Sequence, residues 1–515
     1  MKTLNLLSLP PLGARGLHTM TILLLAALSL GGCNIKDPIA TPVPSADYSI
    51  IDGDTIKTVI FKDYKKLKAL DPNGKNYIIV GDTVVLYKEP KLHTPPAKAP
   101  DLSKLKNNDD PDLKGKPLRM VAIGGSLTAG VRDGGYFNEG ILTSYPNLIA
   151  RQMKLQKFEQ PLFDATDYNG FGRKVRTSFN PTGGPVPKFN TTKNNGENII
   201  VDDPKFKKYK GQLENFGVPF MRSGSLLGTN SNVDFAIKTY NSSKIEGELI
   251  KRVLPDNIEY FQYISSQKFD FFTLEFGIDN LINFAKSGGD VRNYPSSAVG
   301  SSSIDNPYGN NYDWLSAEVK LLLKFSEKKI KKGCLLNIPD ILNLPFFDIT
   351  KGKTASIASQ FVGLKYYHND RIRDVSPSFL LLPSSAIDSL MSAKVHISLK
   401  KGVLGNKPLS KSDLLDEYDL KEIETRFNQY NQQLELLSKK HGFPIVDIKI
   451  LYKSITEGAF ITEEGIKVNK SNFFSSDGIN PTPFGQAVIA NEVIKTLNGF
   501  YKMDTPLINT KEYLR

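Results

Sequence analysis

Cysteine, histidine and long apolar runs are scarce in this sequence, and each shortage excludes something. Two cysteines among 515 residues cannot staple a fold, so a disulfide scaffold is ruled out. The five histidines stand apart, no side chains show metal-ligand spacing, and no phosphate-binding glycine loop is visible, so no metal or cofactor is expected. The apolar run ILLLAALSL at 22–30 has nine residues, whereas a bilayer span needs about 20. With 40% hydrophobic and 23% charged residues, the chain as a whole is neither disordered nor a many-span membrane protein. Its length admits three ordinary domains or one enlarged α/β domain.

What is present begins at the front. Residues 1–32 carry Lys2 and Arg15 and no acid, and the short apolar run ends in Leu30-Gly31-Gly32-Cys33. A basic start, a short apolar centre and small residues before a cut site describe an export signal. A cysteine directly after them resembles the bacterial lipobox, whose cysteine is lipidated and becomes the new N-terminus. A buried amphipathic first helix is the plainer alternative. Met1 rather than Met20 supplies the positive segment. Loss of 1–32 lowers the formal charge from +12 to +10 and leaves Cys334, within GCLLNIPD, as a core thiol. The basic balance suits anionic headgroups or acidic glycans, and solvated lysine faces account for it as well. No basic-aromatic stripe is present, so nucleic acid is not an expected partner.

Composition then divides the chain. A Pro-rich tether covers 33–47. A small β-rich unit is expected at 48–88, where IIDGDTI (50–56) and IIVGDTV (78–84) each set a Gly-Asp turn between β-branched runs. Residues 89–117 hold Pro, Lys and Asp and read as a linker. From 118 the pattern is α/β. Apolar runs at 118–124, 269–277, 333–340 and 443–449 predict buried parallel strands, and helical periods cover 420–442 and 484–500. Polar stretches at 155–211, 285–312 and 346–410 are insertions, expected at the loop ends of strands, and 506–515 is a tail.

GGSLTAG at 124–130 follows the first strand of this region and opens a helix, a weak signal alone. NFGVPF (215–220), LEFGIDNL (274–281), LNIPD (336–340) and SSDGINPTPFGQAVIANEVIKTLN (475–498) follow in order. Together these blocks resemble the SGNH, or GDSL, hydrolase superfamily, particularly its large lipid-anchored members from Bacteroidota-type bacteria. The resemblance covers roughly 118–505. It implies a flavodoxin-like three-layer α/β/α sandwich with a parallel sheet, and ester or acyl hydrolysis by a serine. The first block would supply the nucleophile, Ser126, and the last the aspartate, Asp477, and the histidine that activates it. A glycine N–H and an asparagine side chain would complete the oxyanion hole.

The match breaks at the chemistry. The histidine position holds Asn480, the oxyanion asparagine position Asp279 and the oxyanion glycine position Phe220. Gly125 stands before the serine, where relatives carry Asp or Asn. An amide cannot take the serine proton, and loss of such a base costs on the order of 10⁶ in rate. A carboxylate in the hole repels a developing oxyanion. A slip placing Asn280 in the hole is disfavoured if 279 and 280 sit on a strand end, where neighbours face opposite ways. Of the other histidines, His441 is expected at the far end of the fold, His93 in the linker, and His368 and His396 in an insertion. The expectation is an impaired, lipid-anchored binding or assembly module of an outer-membrane or cell-surface complex. The alternative is a working esterase, lipase or carbohydrate deacetylase using Ser126, with an ester, lipid or glycan as ligand.

Overall fold

The computed structural model describes residues 92–163, 209–221, 249–289, 318–352, 364–384 and 408–514 apart from isolated positions, and the backbone of strands within 48–86 and 174–193. The expected signal, Cys33, the tether and His396 lie outside the described residues. Four short strands come first: β1 (Tyr48–Ile51), β2 (Asp54–Ile60), β3 (Tyr77–Val80) and β4 (Thr83–Leu86). After them come β5 (Met120–Gly124), β6 (Lys174–Ser178), β7 (Lys188–Lys193), β8 (Asn215–Gly217), β9 (Phe271–Glu275), β10 (Gly333–Leu336) and β11 (Ile445–Val446). The helices that matter for the site are α1 (Ser126–Ala129), α2 (Tyr145–Gln152), α3 (Ile278–Lys286), α4 (Ser316–Glu327), α5 (Glu417–His441) and α6 (Pro483–Tyr501).

Two sheets carry most of the strands. An antiparallel sheet in the order β1-β2-β4-β3-β7-β6 draws four strands from 48–88 and two from the 155–211 insertion, joined where Ile79 and Val80 of β3 pair with β7. The second sheet, β11-β10-β9-β5-β8, is parallel throughout. Every residue of β5, β9 and β10 is buried, which explains why these strands are largely apolar rather than alternating. Counted along the chain, its strands stand in the doubly wound order 2-1-3-4-5. Ligand crevices of such sheets open beyond the C-terminal strand ends, at the switch between the first and third strands.

Two neighbouring residues of β9 show a layer on each face. Phe272 packs at a tilt against Phe325 of α4 and edge-on against Phe443, each with centroids 4.9 Å away, while Thr273 Oγ1 accepts a bond from Tyr145 of α2 at 3.3 Å. Successive strand side chains point to opposite faces, so α4 and α2 cover opposite sides of the sheet. The helix ends are written in the sequence. Asp416 and Asp419 form a capping box at the start of α5, and Gly442 closes it at φ 71°. Thr482 caps α6, with Pro483 in its first turn. Residues 92–117, expected as a linker, instead lie against the core. His93, Leu105 and Leu113 are buried, and the Asn107 N–H and Lys106 ammonium both bond Asp270. Few aromatics in the segment concealed these anchors.

Candidate functional site

β5 ends in two glycines that leave no room for a side chain. A Cβ on Gly124 would lie 2.2 Å from Thr128 Oγ1, and one on Gly125 would lie 2.2 Å from Asp279 Oδ2. The chain then turns into α1, which Gly130 stops at φ 83°. Ser126 opens that helix at the sheet's switch point. It is 6% exposed, and its Oγ accepts a hydrogen bond from the Phe220 N–H at 2.8 Å.

Phe220 arrives through β8. Gly124 pairs with Gly217, and a Cβ on Gly217 would come 2.4 Å from the Ala129 nitrogen, so the two segments touch backbone to backbone. Phe220 itself sits at φ 61°, a left-handed conformation that costs a bulky residue about 1–3 kcal/mol. The strain aims its N–H at Ser126. Its ring packs against the hydrophobic core.

Asp279 comes from the other flank of β5. Gly277, at φ 92°, turns the chain from β9 into α3, and the Tyr430 hydroxyl supports that turn by donating to Phe276 O at 2.8 Å. Asp279 Oδ2 accepts the Ser126 N–H at 2.7 Å. Positions 279 and 280 both lie in the first turn of α3, not on a strand end, so the alternation argument against Asn280 does not apply. Asn280 is fully buried, and Asp279 reaches the serine amide.

Sequence reasoning missed Glu275. Its Oε2 accepts from the Gly125 N–H at 3.2 Å and from the Thr128 hydroxyl at 3.0 Å, beneath the serine turn. Complete burial, reinforced by the neighbouring Asp279 charge, pushes its carboxyl up to about 8, so it holds a proton at neutral pH. An acid inside the apolar run FDFFTLEFG was the available signal.

Asp477 and Asn480 bond chiefly to each other. Asp477 Oδ1 accepts the Ile479 and Asn480 N–H groups, and its Oδ2 accepts Asn480 Nδ2, all at 2.8 Å. The same Oδ2 accepts the Gly134 N–H at 2.7 Å, and Asp133 Oδ1 accepts the Ser476 hydroxyl at 2.6 Å. These bonds lace the loop before α6 to the loop after α1. The Asn480 side-chain donor is thus committed to Asp477, and the recorded partner of Ser126 Oγ is the Phe220 amide. Among the described residues no side chain accepts the Ser126 hydroxyl proton.

The three described histidines are occupied elsewhere. His93 Nδ1 lies 2.8 Å from the Tyr513 hydroxyl, and burial, then the Arg151 charge, lowers its pKa to about 4. His441 Nδ1 lies 3.0 Å from Ser326 Oγ at the end of α5, and His368 stands edge-on to Tyr366. Cys334 is buried in β10, and burial pushes its thiol far up, as suits a packing residue. No group of acids, histidines and cysteines among the described residues could hold a metal ion, and no described helix is long and apolar enough to cross a membrane.

The arrangement can hold a hydroxyl rigidly and present it beside one backbone donor. Among the described residues no group is placed to withdraw the hydroxyl proton. No family model, curated protein or solved structure matches this chain.

Proposed function

We propose that the chain is an SGNH-type α/β/α protein, lipid-anchored at Cys33, whose Ser126 site binds rather than hydrolyses. It serves as a binding or assembly module at an outer membrane or cell surface. The observation that carries this reading is the bond from the Ser126 N–H to Asp279. An acyl-transfer site needs that N–H free to receive the oxyanion, and here a carboxylate already occupies it. With Asn480 bonded to Asp477, the serine also lacks a base among the described residues. Losing one oxyanion donor costs about 3–4 kcal/mol of barrier, and losing the base about 8 kcal/mol.

One observation favours the second reading, a working esterase. Phe220 holds a strained conformation that keeps its N–H beside Ser126 Oγ, where a small shift could turn it to an oxyanion formed on the serine. Activated short-chain esters and a fluorophosphonate probe separate the two. The binding reading expects no label and no turnover attributable to Ser126. Hydrolysis by the wild-type chain that disappears in Ser126→Ala would refute it. The double variant Asp279→Asn with Asn480→His should gain ester hydrolysis over wild type, because the serine scaffold is otherwise assembled.

A further inference from the structure

The turns that lead into a parallel sheet emerge together, at the end opposite the switch point. Here that end is rich in lysine. Lys268 precedes β9; Lys328, Lys329 and Lys332 precede β10; Lys439 and Lys440 precede β11. Recorded contacts join the turns into one surface. Arg119, before β5, donates to Lys268 O at 2.5 Å, and Lys268 pairs with Asp110 at 3.0 Å. Lys331 pairs with Asp109 at 2.8 Å, and Ser326 meets His441 at the end of α5. The Tyr501 hydroxyl bonds both backbone groups of Gly333, bringing the end of α6 to the same place.

Ion pairing neutralises part of this charge and leaves a surplus. Lys268 and Lys331 have carboxylate partners, whereas Lys328, Lys329, Lys332 and Lys439 form no ion pair among the described residues. Partial burial, then the Lys268 charge, holds the Lys328 ammonium below its usual range against the opposing pull of Asp110. Near these lysines Phe500 is 50% exposed and stands edge-on to Tyr501, whose ring also lies 5.1 Å from the Lys332 ammonium.

We propose that this end of the domain is a contact surface for anionic lipid headgroups, which turns the Ser126 end of the strands away from the bilayer. The exposed cations are lysines, which act as point charges without the forked geometry that reads phosphate groups. Arg119, the arginine at this end among the described residues, is spent on Glu214 and on carbonyls. A half-exposed phenylalanine among lysines suits the boundary between headgroups and acyl chains. The surface stands on its own residues, whether or not Cys33 carries a lipid.

The test uses the full chain carrying Cys33→Ala, with vesicles of phosphatidylcholine alone or containing phosphatidylglycerol. Co-sedimentation should require phosphatidylglycerol and fall when salt shortens the Debye length from about 10 Å to about 3 Å. The triple variant Lys328→Gln, Lys329→Gln, Lys332→Gln should bind on the order of 100-fold more weakly, at about fivefold per lysine. A control triple, Lys449→Gln, Lys453→Gln, Lys467→Gln, neutralises equal charge beyond the other end of β11 and should bind like the parent. Equal loss in both triples would mean net charge alone is at work and overturn the proposal. So would equal binding to vesicles without phosphatidylglycerol, which would assign attachment to an apolar segment. Tighter lysine-dependent binding to a DNA duplex than to the anionic vesicles would replace lipid by a polyanion.

Discussion

An asparagine at position 279 would bring two N–H donors to the serine turn, whereas the aspartate brings none and takes the Ser126 N–H. Directly below, Glu275 titrates in the opposite sense to most carboxylates of a folded chain. Its folded pKa of about 8 stands above the ordinary 4.5, so between those values the folded chain keeps a proton that the unfolded chain has released. Stability therefore falls as pH rises from about 4.5 to about 8, by at most ~1.4 kcal/mol per pH unit. Glu275→Gln keeps an acceptor for the Gly125 N–H and the Thr128 hydroxyl without ionising. Urea midpoints of this variant should overtake wild type above pH 7 and stay higher through pH 9. A constant offset between the two curves would refute the assignment. The replacements at 220, 279 and 480 were legible because each sits in a block of recognisable residues. The Asp279–Ser126 bond was not, because it depends on the rotamer that an absent Cβ at Gly125 permits.

Among elements, the first and last described segments of the core clasp each other. The Tyr513 hydroxyl accepts the His93 N–H at 2.9 Å and meets His93 Nδ1, while Thr94 bonds Glu512 and the Arg151 guanidinium of α2 holds His93 O at 2.7 Å. Tyr513→Phe strands both His93 groups in a buried place and should cost about 1–3 kcal/mol in urea unfolding, with the far-ultraviolet spectrum unchanged. A loss below 0.5 kcal/mol would show that the clasp is incidental. The clasp also bounds stability on the acid side. His93, depressed to about 4, contributes fully above pH 6.5, and that contribution is lost as pH falls through 4. Strands and long helices could be read from apolar runs and caps. The clasp could not, because its partners stand 420 residues apart and no local period links them.

For the whole molecule, charge and burial are distributed along the strand axis. One end of the parallel sheet gathers lysines ahead of β9, β10 and β11, and the other holds Asp279 on the Ser126 amide, with Asp477 and Asp133 joining the loops before α6 and after α1. Composition alone could not reveal which strand end each of these charges takes. Protection should follow the same architecture. Central strands buried on both faces open only in the largest unfolding events. In hydrogen exchange the amides of β5 and β9 should be the slowest, and those of the edge strands β8 and β11 should exchange faster. Faster exchange in β9 than in β11 would contradict the central place of β9. The chain reads as one α/β region from 118 onward, yet the antiparallel sheet takes strands from both 48–88 and 155–211. A pairing between β3 and β7, over a hundred residues apart, leaves no mark on either segment alone.

The vacancy beside the Gly125 α-carbon makes positions 125 and 279 a coupled pair. A methyl group there would meet Asp279 Oδ2 at 2.2 Å but the Met221 carbonyl at an ordinary 3.5 Å, so the carboxylate is what must yield. Substitutions at the two positions are therefore non-additive: whichever changes first sets what the other can do. The restraint on the serine amide is held by a single missing carbon atom.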